Sequence, residues 1–285
     1  MRFSLFTDYG ALNSGPVFEA FGRGALALGH EVTLNDYNAD VAVVWSVLFQ
    51  GRMSGNEQIW NNFSALGKPI IVLEVGSLFR QTTWRMAIGG INREAYFGPE
   101  VDTDWRAKKV LGLEAEPWKL NEDGHILICT QSPISRQWRN FPDQSSWLNT
   151  LIKEIRSQTD RKIVIRPHPR FPVKHNSQWD VEYESPKHVK NDVWDLDLSN
   201  VFAVVNVSSS PGIQAILAGV PAYVGADSMA FPVANHLDGN YNEPVMPKRR
   251  NWLNNLAFTE WTTEEIQSGM PLSRLIPKLE ELLNE

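Results

Sequence analysis

The second half of the chain contains Val204-Val-Asn-Val-Ser-Ser-Ser-Pro-Gly-Ile-Gln-Ala-Ile-Leu-Ala-Gly-Val-Pro-Ala-Tyr-Val224, and this stretch decides the fold class. The apolar run Val201–Val207 predicts a buried strand that stops at three serines and a proline. Ile213, Ile216 and Leu217 then fall at helical spacing before a glycine, and a second short apolar run follows. Strand, turn, helix and strand in this order are typical of a parallel α/β sheet.

The turn Ser208-Ser-Ser210 lies at the predicted start of a helix. Free N–H groups and the positive end of the helix dipole favour an anion at that position, and three hydroxyls add further donors. The turn is therefore a candidate phosphate site. A serine before a proline in the first turn also caps a helix without any ligand, and the residues by themselves leave both interpretations open.

An earlier stretch, Val164-Ile-Arg-Pro-His-Pro-Arg170, ends another short apolar run in polar side chains. Pro167 and Pro169 hold an extended backbone that cannot continue a β-ladder, so Arg166 and His168 should project from the carboxyl end of a strand. Ligands of open α/β sheets bind at this edge. We therefore expect both side chains to act with the serine turn in holding an anion.

Length and composition narrow the class of protein. The chain has 285 residues, a net charge of −6, 42% hydrophobic and 11% aromatic residues, which predicts two domains with a core each. The acidic balance argues against a general nucleic-acid coat protein. The single Cys129 forms no intramolecular disulfide or cysteine zinc site. With no predicted signal peptide or membrane span, a cytoplasmic location is expected.

Strands and helices alternate on both sides of a less periodic region, residues 77–122. We place the domain boundary near residue 118, which gives a Rossmann-like domain over 1–118 and a second over 119–285 that carries two C-terminal helical segments. Each half is predicted to be a doubly wound parallel sheet. Two such halves are expected to face a central cleft, with the acceptor bound by the first and the nucleotide-sugar by the second.

Several motifs of the second half together resemble the GT-B glycosyltransferases, particularly the branch of bacterial capsule Kdo transferases and CDP-glycerol glycerophosphotransferases. They are Gln131, Arg166-Pro-His-Pro169, and the serine turn with Gln214-Ala-Ile-Leu-Ala-Gly-Val-Pro221. In those families a His-Pro motif and a Ser-Ser turn bind the nucleotide and the phosphate of the donor. The resemblance covers residues 125–225 well and the first 118 at fold level. The donor-binding residues expected here are Gln131, Arg166, His168, Ser208, Ser209 and Ser210.

No cofactor is expected besides the nucleotide-sugar, which is a co-substrate, and no metal is expected, because the chain has no cysteine cluster and no HExxH motif. Asp102-Thr-Asp104 and Asp195-Leu-Asp197 have the spacing of a metal-binding acidic pair. A solvated turn accounts for the first pair and a helix-end or surface position for the second, and GT-B enzymes generally need no such pair. Arg166 and the helix dipole would supply the positive charge instead.

Sugar transfer also needs a group that accepts the proton of the acceptor hydroxyl. Asp8 and Glu74 both follow apolar runs of the first half, so both should lie at the carboxyl edge of its sheet. Leu73-Glu-Val-Gly76 resembles the Glu-containing strand end in the acceptor half of the Kdo transferases, which makes Glu74 the favoured base and Asp8 the other candidate. Capping of the following loop is the structural alternative for each carboxylate.

Two further features bear on the acceptor. The glycine-containing loop Asp8–Gly15 allows close approach near Asn13, although it is equally an ordinary βα connection. Arg80, Trp84 and Arg85 interleave cations with an aromatic ring, which suits a polyanion or a merely solvated face. The sequence leaves two acceptors open. One is a glycan of surface polysaccharide biosynthesis, and the other is a hydroxymethylated pyrimidine in viral DNA, which would have to flip out of the base stack to react.

The leading hypothesis is a metal-independent GT-B glycosyltransferase. Two other classes fit the same residues. A nucleotide-sugar epimerase or hydrolase of this fold would turn over the donor without an acceptor, and a non-catalytic nucleotide-binding module would bind the donor without forming product. The residues leave the sugar, the nucleotide, the stereochemical outcome and the oligomeric state open.

Overall fold

The structure is a computed structural model that describes residues 1–175, 178–190 and 193–285, and these form mixed α/β elements. The strands, β1 to β14 in chain order, are Arg2–Leu5, Glu31–Leu34, Val41–Trp45, Ile70–Val75, Trp84–Ile88, His125–Cys129, Ile163–Arg166, Glu182–Tyr183, His188–Lys190, Val193–Trp194, Val201–Asn206, Ala222–Val224, Asn235–His236 and Glu260–Trp261. The helices, α1 to α7, are Gly15–Ala27, Asn56–Ala65, Gln144–Gln158, Ser210–Leu217, Arg250–Leu256, Thr263–Gln267 and Met270–Asn284. Within these described ranges no helix is both long and apolar enough to cross a bilayer.

The chain divides into two compact units, residues 1–106 with 254–285, and residues 107–253. This division differs from the predicted domains 1–118 and 119–285, because the C-terminal segment packs on the first unit. β14 pairs with β5, and α6 packs against α1. The approach of α6 requires Gly24, since a Cβ there would lie 2.4 Å from the carbonyl oxygen of Ile266. The acceptor and donor roles assigned to the two halves stay predictions.

The first unit is built on a six-stranded sheet in the order β2-β1-β3-β4-β5-β14. The predicted parallel pairing is confirmed for the first four strands, whereas β5 and β14 are antiparallel additions. β3, Val-Ala-Val-Val-Trp, is wholly buried, as expected for a central strand that is covered on both faces. The carboxyl ends of β1, β3 and β4 lie at one edge of this sheet.

The second unit is built on a six-stranded sheet in the order β8-β7-β6-β11-β12-β13, in which every pair is parallel. The predicted strand, serine turn and helix are confirmed as β11 and α4. Asp143 caps the N-terminus of α3, because its carboxylate accepts a hydrogen bond from the backbone N–H of Ser146 at 3.1 Å. The apolar face of α3 packs on the sheet with Ile152 and Phe202 in the core.

Candidate functional site

The central strands of the second unit bring distant residues to one edge of its sheet. β7, β6 and β11 are adjacent and parallel, so the residues that follow them lie at the same carboxyl edge. Gln131 follows β6, His168 follows β7, and Ser208 follows β11. These polar residues are up to 77 positions apart in the sequence, yet they lie at the same edge of the sheet. Open α/β sheets bind ligands at this edge.

Gln131 holds the serine turn directly. Its Oε1 accepts hydrogen bonds from the backbone N–H of Ser208 at 3.0 Å and from the Ser208 hydroxyl at 3.2 Å. Both residues are buried, and the carbonyl of Gln131 accepts a bond from the side chain of Gln144 in α3. A satisfied buried network of this kind gives the turn a single conformation. The contact of Gln131 and Ser208 with a donor stays a prediction.

Asn206, the last residue of β11, supports the turn from within the unit. Its Nδ2 donates to the carbonyl of Ser209 at 2.8 Å and to the Ser209 hydroxyl at 3.0 Å. The Ser209 hydroxyl makes no capping hydrogen bond to the N-terminus of α4, so the structure does not support the capping interpretation for this residue. Ser209 and Ser210 are half-buried. The first turn of α4 therefore lacks a side-chain cap from Ser209, which suits an anion.

His168 follows β7 at the same carboxyl edge, with β6 between β7 and the strand that precedes the serine turn, and it is half-buried. Its backbone N–H donates to the hydroxyl of Thr130 at 3.0 Å, and its Nδ1 accepts from the backbone N–H of Arg170 at 3.2 Å. The ring of Phe171 packs against the imidazole, with centroids 5.3 Å apart. Because Nδ1 accepts, the neutral ring carries its proton on Nε2, which is then a donor. Donor binding by His168 stays a prediction.

Arg166 is buried and bound to two carboxylates. It donates to Glu184 Oε1 at 2.7 Å and to Asp195 Oδ1 at 3.2 Å, and it also donates to the Asp195 carbonyl. The backbone N–H of Lys187, and then Arg166, lower the pKa of Asp195. Arg166 therefore ties β7 to its neighbouring segments, and its charge is already compensated. Its part in donor binding stays a prediction.

The acidic pairs occupy ordinary surface positions. Asp102 is exposed, and Asp197 accepts a hydrogen bond from the backbone N–H of Ser199 at 2.9 Å. Asp195 is engaged by Arg166. Over the described ranges, no group of three or more His, Cys, Asp or Glu side chains is placed to hold a metal ion.

The two candidate bases lie at the carboxyl edge of the first sheet, as the strand pattern predicts. Asp8 is exposed, and its Oδ2 accepts from the side chain of Asn35 at 3.0 Å. Glu74 is half-buried, and its Oε1 accepts from the backbone N–H of Val75 at 2.7 Å. The Glu74 bond to the next residue is of the kind that the capping alternative expects, whereas Asp8 is bonded by a residue 27 positions away. The role of either residue as a base stays a prediction. Asn13 is half-buried in the loop after β1.

A buried carboxylate that sequence reasoning missed orders the loop just beyond Glu74. Glu260 on β14 accepts bonds from the backbone N–H and hydroxyl of Ser77 at 2.6 and 2.8 Å, and from the backbone N–H of Leu78 at 3.0 Å. It also accepts from the Thr83 hydroxyl at 2.8 Å and pairs with Arg85 at 3.4 Å. The sequence around Glu260 contains no motif that signals this role.

The exposed surface predicted from Arg80, Trp84 and Arg85 is not formed. Trp84 packs on Trp45 with ring centroids 5.8 Å apart, and its indole N–H donates to the Thr263 hydroxyl at 3.2 Å. Arg85 is also buried, and only Arg80 of the three is exposed. The physical reason is that β14 covers the edge of β5, which places both residues inside the sheet. Trp84 and Arg85 are therefore not exposed to an acceptor as predicted, and a contact of Arg80 with an acceptor stays a prediction.

Comparisons with known proteins give a likeness in fold. No family model matches the chain, and no curated protein matches it either. Among solved structures, the chain is similar to Thermosulfurimonas dismutans KpsC, a β-Kdo 2,7 transferase, with a TM-score of 0.53, 14% identity, and coverage of 100% of this chain and 99% of that one. At this identity the likeness shows that the two share a fold.

Two further structures are also glycosyltransferases. AviGT4, which is involved in avilamycin A biosynthesis, has a TM-score of 0.31 and 12% identity, with 100% of this chain and 98% of that one covered. The spinosyn rhamnosyltransferase SpnG has a TM-score of 0.29 and 11% identity, with 100% and 96% covered. These two TM-scores are too low to support an argument about this chain.

Proposed function

We propose that this protein is a glycosyltransferase that moves a sugar from a nucleotide-sugar donor to a hydroxyl of a polar acceptor. The observation that carries the proposal is the serine turn, Ser208–Ser210, which Gln131 and Asn206 hold at the start of α4. A preorganised turn at a helix N-terminus stabilises phosphate without reorganising during the reaction. The fold shared with a Kdo transferase supports the same reading.

The proposed chemistry is a displacement at the anomeric carbon. The acceptor oxygen forms a bond to that carbon, the bond from the carbon to the donor phosphate oxygen breaks, and the hydroxyl proton passes to a carboxylate. Glu74 is the proposed base, with Asp8 as the other candidate. The serine turn, the α4 dipole and Nε2–H of His168 stabilise the negative charge on the departing phosphate. We propose that this set replaces a metal ion.

Nucleotide binding tests the donor site. A panel of nucleoside diphosphates and CMP is screened for a rise in melting temperature, because a ligand that binds only the native state stabilises it by RT ln(1 + [L]/Kd). For the nucleotide found, calorimetry should show roughly tenfold or weaker binding to His168→Ala and to Ser209→Ala, since each loses a contact worth about 1.5 kcal/mol or more. Gln214→Ala, exposed on the same helix, should bind normally. Unchanged affinity in both folded site variants would contradict the site.

Chelation tests the absence of a metal requirement. With the donor identified, turnover in EDTA should equal turnover in buffer. Loss of activity that magnesium or manganese restores would contradict the metal-independent mechanism. Donor turnover without any acceptor would favour the epimerase or hydrolase class, and tight binding with no product would favour the non-catalytic module.

A further inference from the structure

A cavity of about 630 Å³ that is wide open to solvent lies in the first unit, beside the turn that follows β1. Tyr9 contributes an aromatic ring from that turn, and the exposed face of α2 contributes Glu57, Gln58, Asn61 and Asn62. None of the interactions described for Glu74 or for the serine turn uses this cavity. Its size is within the range typical of small-ligand sites.

The sequence of α2 is unusual for a helix whose only task is to cover a core. Ile59, Trp60 and Phe63 bury the inner face, as amphipathic spacing requires. The outer face carries consecutive asparagines, Asn61 and Asn62, in the helix interior. Asparagine is a poor helix former that costs roughly 0.6 kcal/mol relative to alanine at such a position. A local choice that works against the helix marks a position where function competes with folding.

Tyr9 is held in place against the start of α2. A Cβ on Gly55 would lie 2.3 Å from the Tyr9 ring, so the ring rests where only glycine leaves room. The fully buried Asn56 donates through Nδ2 to the Tyr9 carbonyl at 3.2 Å and to the Trp45 carbonyl at 2.6 Å. Tyr9 remains 38% exposed. Asn56 thus fixes the backbone of Tyr9, while the Tyr9 ring lies over Gly55 and stays accessible to a ligand.

The lining chemistry selects a class of ligand. Of the seven lining residues, all of which belong to the described part of the chain, one is a carboxylate and none is cationic. A nucleic-acid backbone or another polyanion needs Lys or Arg at its contacts. Side-chain amides supply both donors and acceptors, which is what the hydroxyls of a sugar require, and an aromatic ring packs against apolar C–H groups.

We propose that this cavity binds a neutral sugar unit of an oligosaccharide. Its further assignment as the acceptor subsite rests on the proposed function, and it favours a neutral glycan over modified DNA as the acceptor. Asn61, Asn62 and Gln58 bind the sugar hydroxyls, and the Tyr9 ring lies against the sugar's C–H face.

Direct binding tests the ligand class. The full chain is screened on an array of neutral oligosaccharides built from hexoses and N-acetylhexosamines, and the strongest binder is measured by calorimetry beside duplex DNA that carries 5-hydroxymethylcytosine. We expect binding to a neutral oligosaccharide with an affinity that is the same at low and high salt, because no ion pairs form. Binding only to DNA or anionic glycans with a steep salt dependence would overturn the proposal, as would no binding to any neutral oligosaccharide.

Variants of α2 test the location. Asn61→Ala should bind the oligosaccharide roughly tenfold more weakly, because it loses hydrogen bonds to the ligand, while the better helix former preserves the fold. Gly55→Ala should weaken binding by displacing the Tyr9 ring. Ser64→Ala changes an exposed residue of the same helix outside the cavity and should bind normally. Equal affinity in all three variants would overturn the location.

The two proposals fail in distinguishable ways. If a nucleotide binds at the serine turn and no neutral oligosaccharide binds the wild-type chain, the sugar site is overturned and the donor site stands. If an oligosaccharide binds with the expected effects of Asn61→Ala and Gly55→Ala but no nucleotide binds, the sugar site stands. The proposed function and the acceptor assignment then fail.

Discussion

The carboxyl edges of the two sheets present the same kinds of hydrogen-bond donor, namely backbone N–H groups and hydroxyls. They differ in the charge of the groups that bind these donors. In the first unit, the N–H groups of Ser77 and Leu78 and two hydroxyls surround the carboxylate of Glu260, which is an anion supplied by the chain itself. In the second unit, neutral amides of Gln131 and Asn206 hold the serine turn. A loop that contains its own anion is ordered without a ligand. A turn held by neutral groups keeps its capacity for an external phosphate.

The largest expected effect comes from removing that internal anion. Glu260→Ala leaves Arg85 buried without its countercharge and leaves the Ser77 and Leu78 donors unpaired. Breaking a buried pair from one side costs about 3–5 kcal/mol of unfolding free energy. Urea unfolding of the full chain, followed by circular dichroism and by hydrogen exchange within the first unit, measures this loss.

Glu264→Ala is the matched control for that substitution. Glu264 lies four residues further along, in α6, and is exposed. Its removal should change the unfolding free energy by no more than about 1 kcal/mol. If Glu260→Ala is no more destabilising than this control, the buried carboxylate does not order the first edge.

The next effect concerns turnover at the first edge. Glu74→Gln preserves the shape of the side chain and removes its basicity, so the maximal rate of sugar transfer should fall by about 10² while donor affinity changes little. Asp8→Asn is the control at the end of β1. If Asp8→Asn abolishes turnover and Glu74→Gln does not, the base is Asp8. Normal rates in both variants would exclude a carboxylate base at either position.

A smaller effect is expected from loosening the second edge. Gln131→Ala leaves the buried N–H of Ser208 without its acceptor, which should cost about 1–3 kcal/mol of unfolding free energy. The same variant should bind nucleotide more weakly, because the serine turn is no longer held in one conformation. Gln214→Ala, on the exposed face of α4, controls for loss of a glutamine. A variant with wild-type stability and affinity would show that Gln131 does not preorganise the turn.

The smallest effect is a thiol reactivity that reports on the second unit. Burial raises the pKa of Cys129 to about 12, against roughly 8.5 in an unfolded chain. The native protein keeps this proton where the unfolded chain has lost it, so this group's contribution to stability declines as the pH rises above about 8.5.

At pH 8 a disulfide reagent should label Cys129 only when the unit opens. Gln131→Ala should accelerate labelling more than Glu260→Ala does, because Gln131 shares its unit. Labelling of the native protein at the rate of a free thiol would contradict this.

Much of the layout could be predicted from short-range patterns. Apolar runs that end in polar residues mark β1, β3, β6 and β11, and helical spacing marks α1 and α4, because burial and turn chemistry act within a few residues. The same patterns place Gln131, His168, Ser208, Asp8 and Glu74 at strand ends. Parallel topology then puts each set at one edge of its sheet.

The remaining features depend on partners that no local pattern encodes. Glu260 lies 183 positions from Ser77, and its segment was predicted to belong to the other half of the chain. Trp84 and Arg85 look like surface residues until β14 covers the edge of β5. The outer face of α2 becomes a cavity only when Tyr9 rests on Gly55. The sequence by itself determined the alternation of elements and the polar strand ends, because these follow from local hydrophobic burial. Tertiary structure alone decided which buried polar groups are paired, since such groups are satisfied by whichever donor or charge the fold brings within hydrogen-bonding distance.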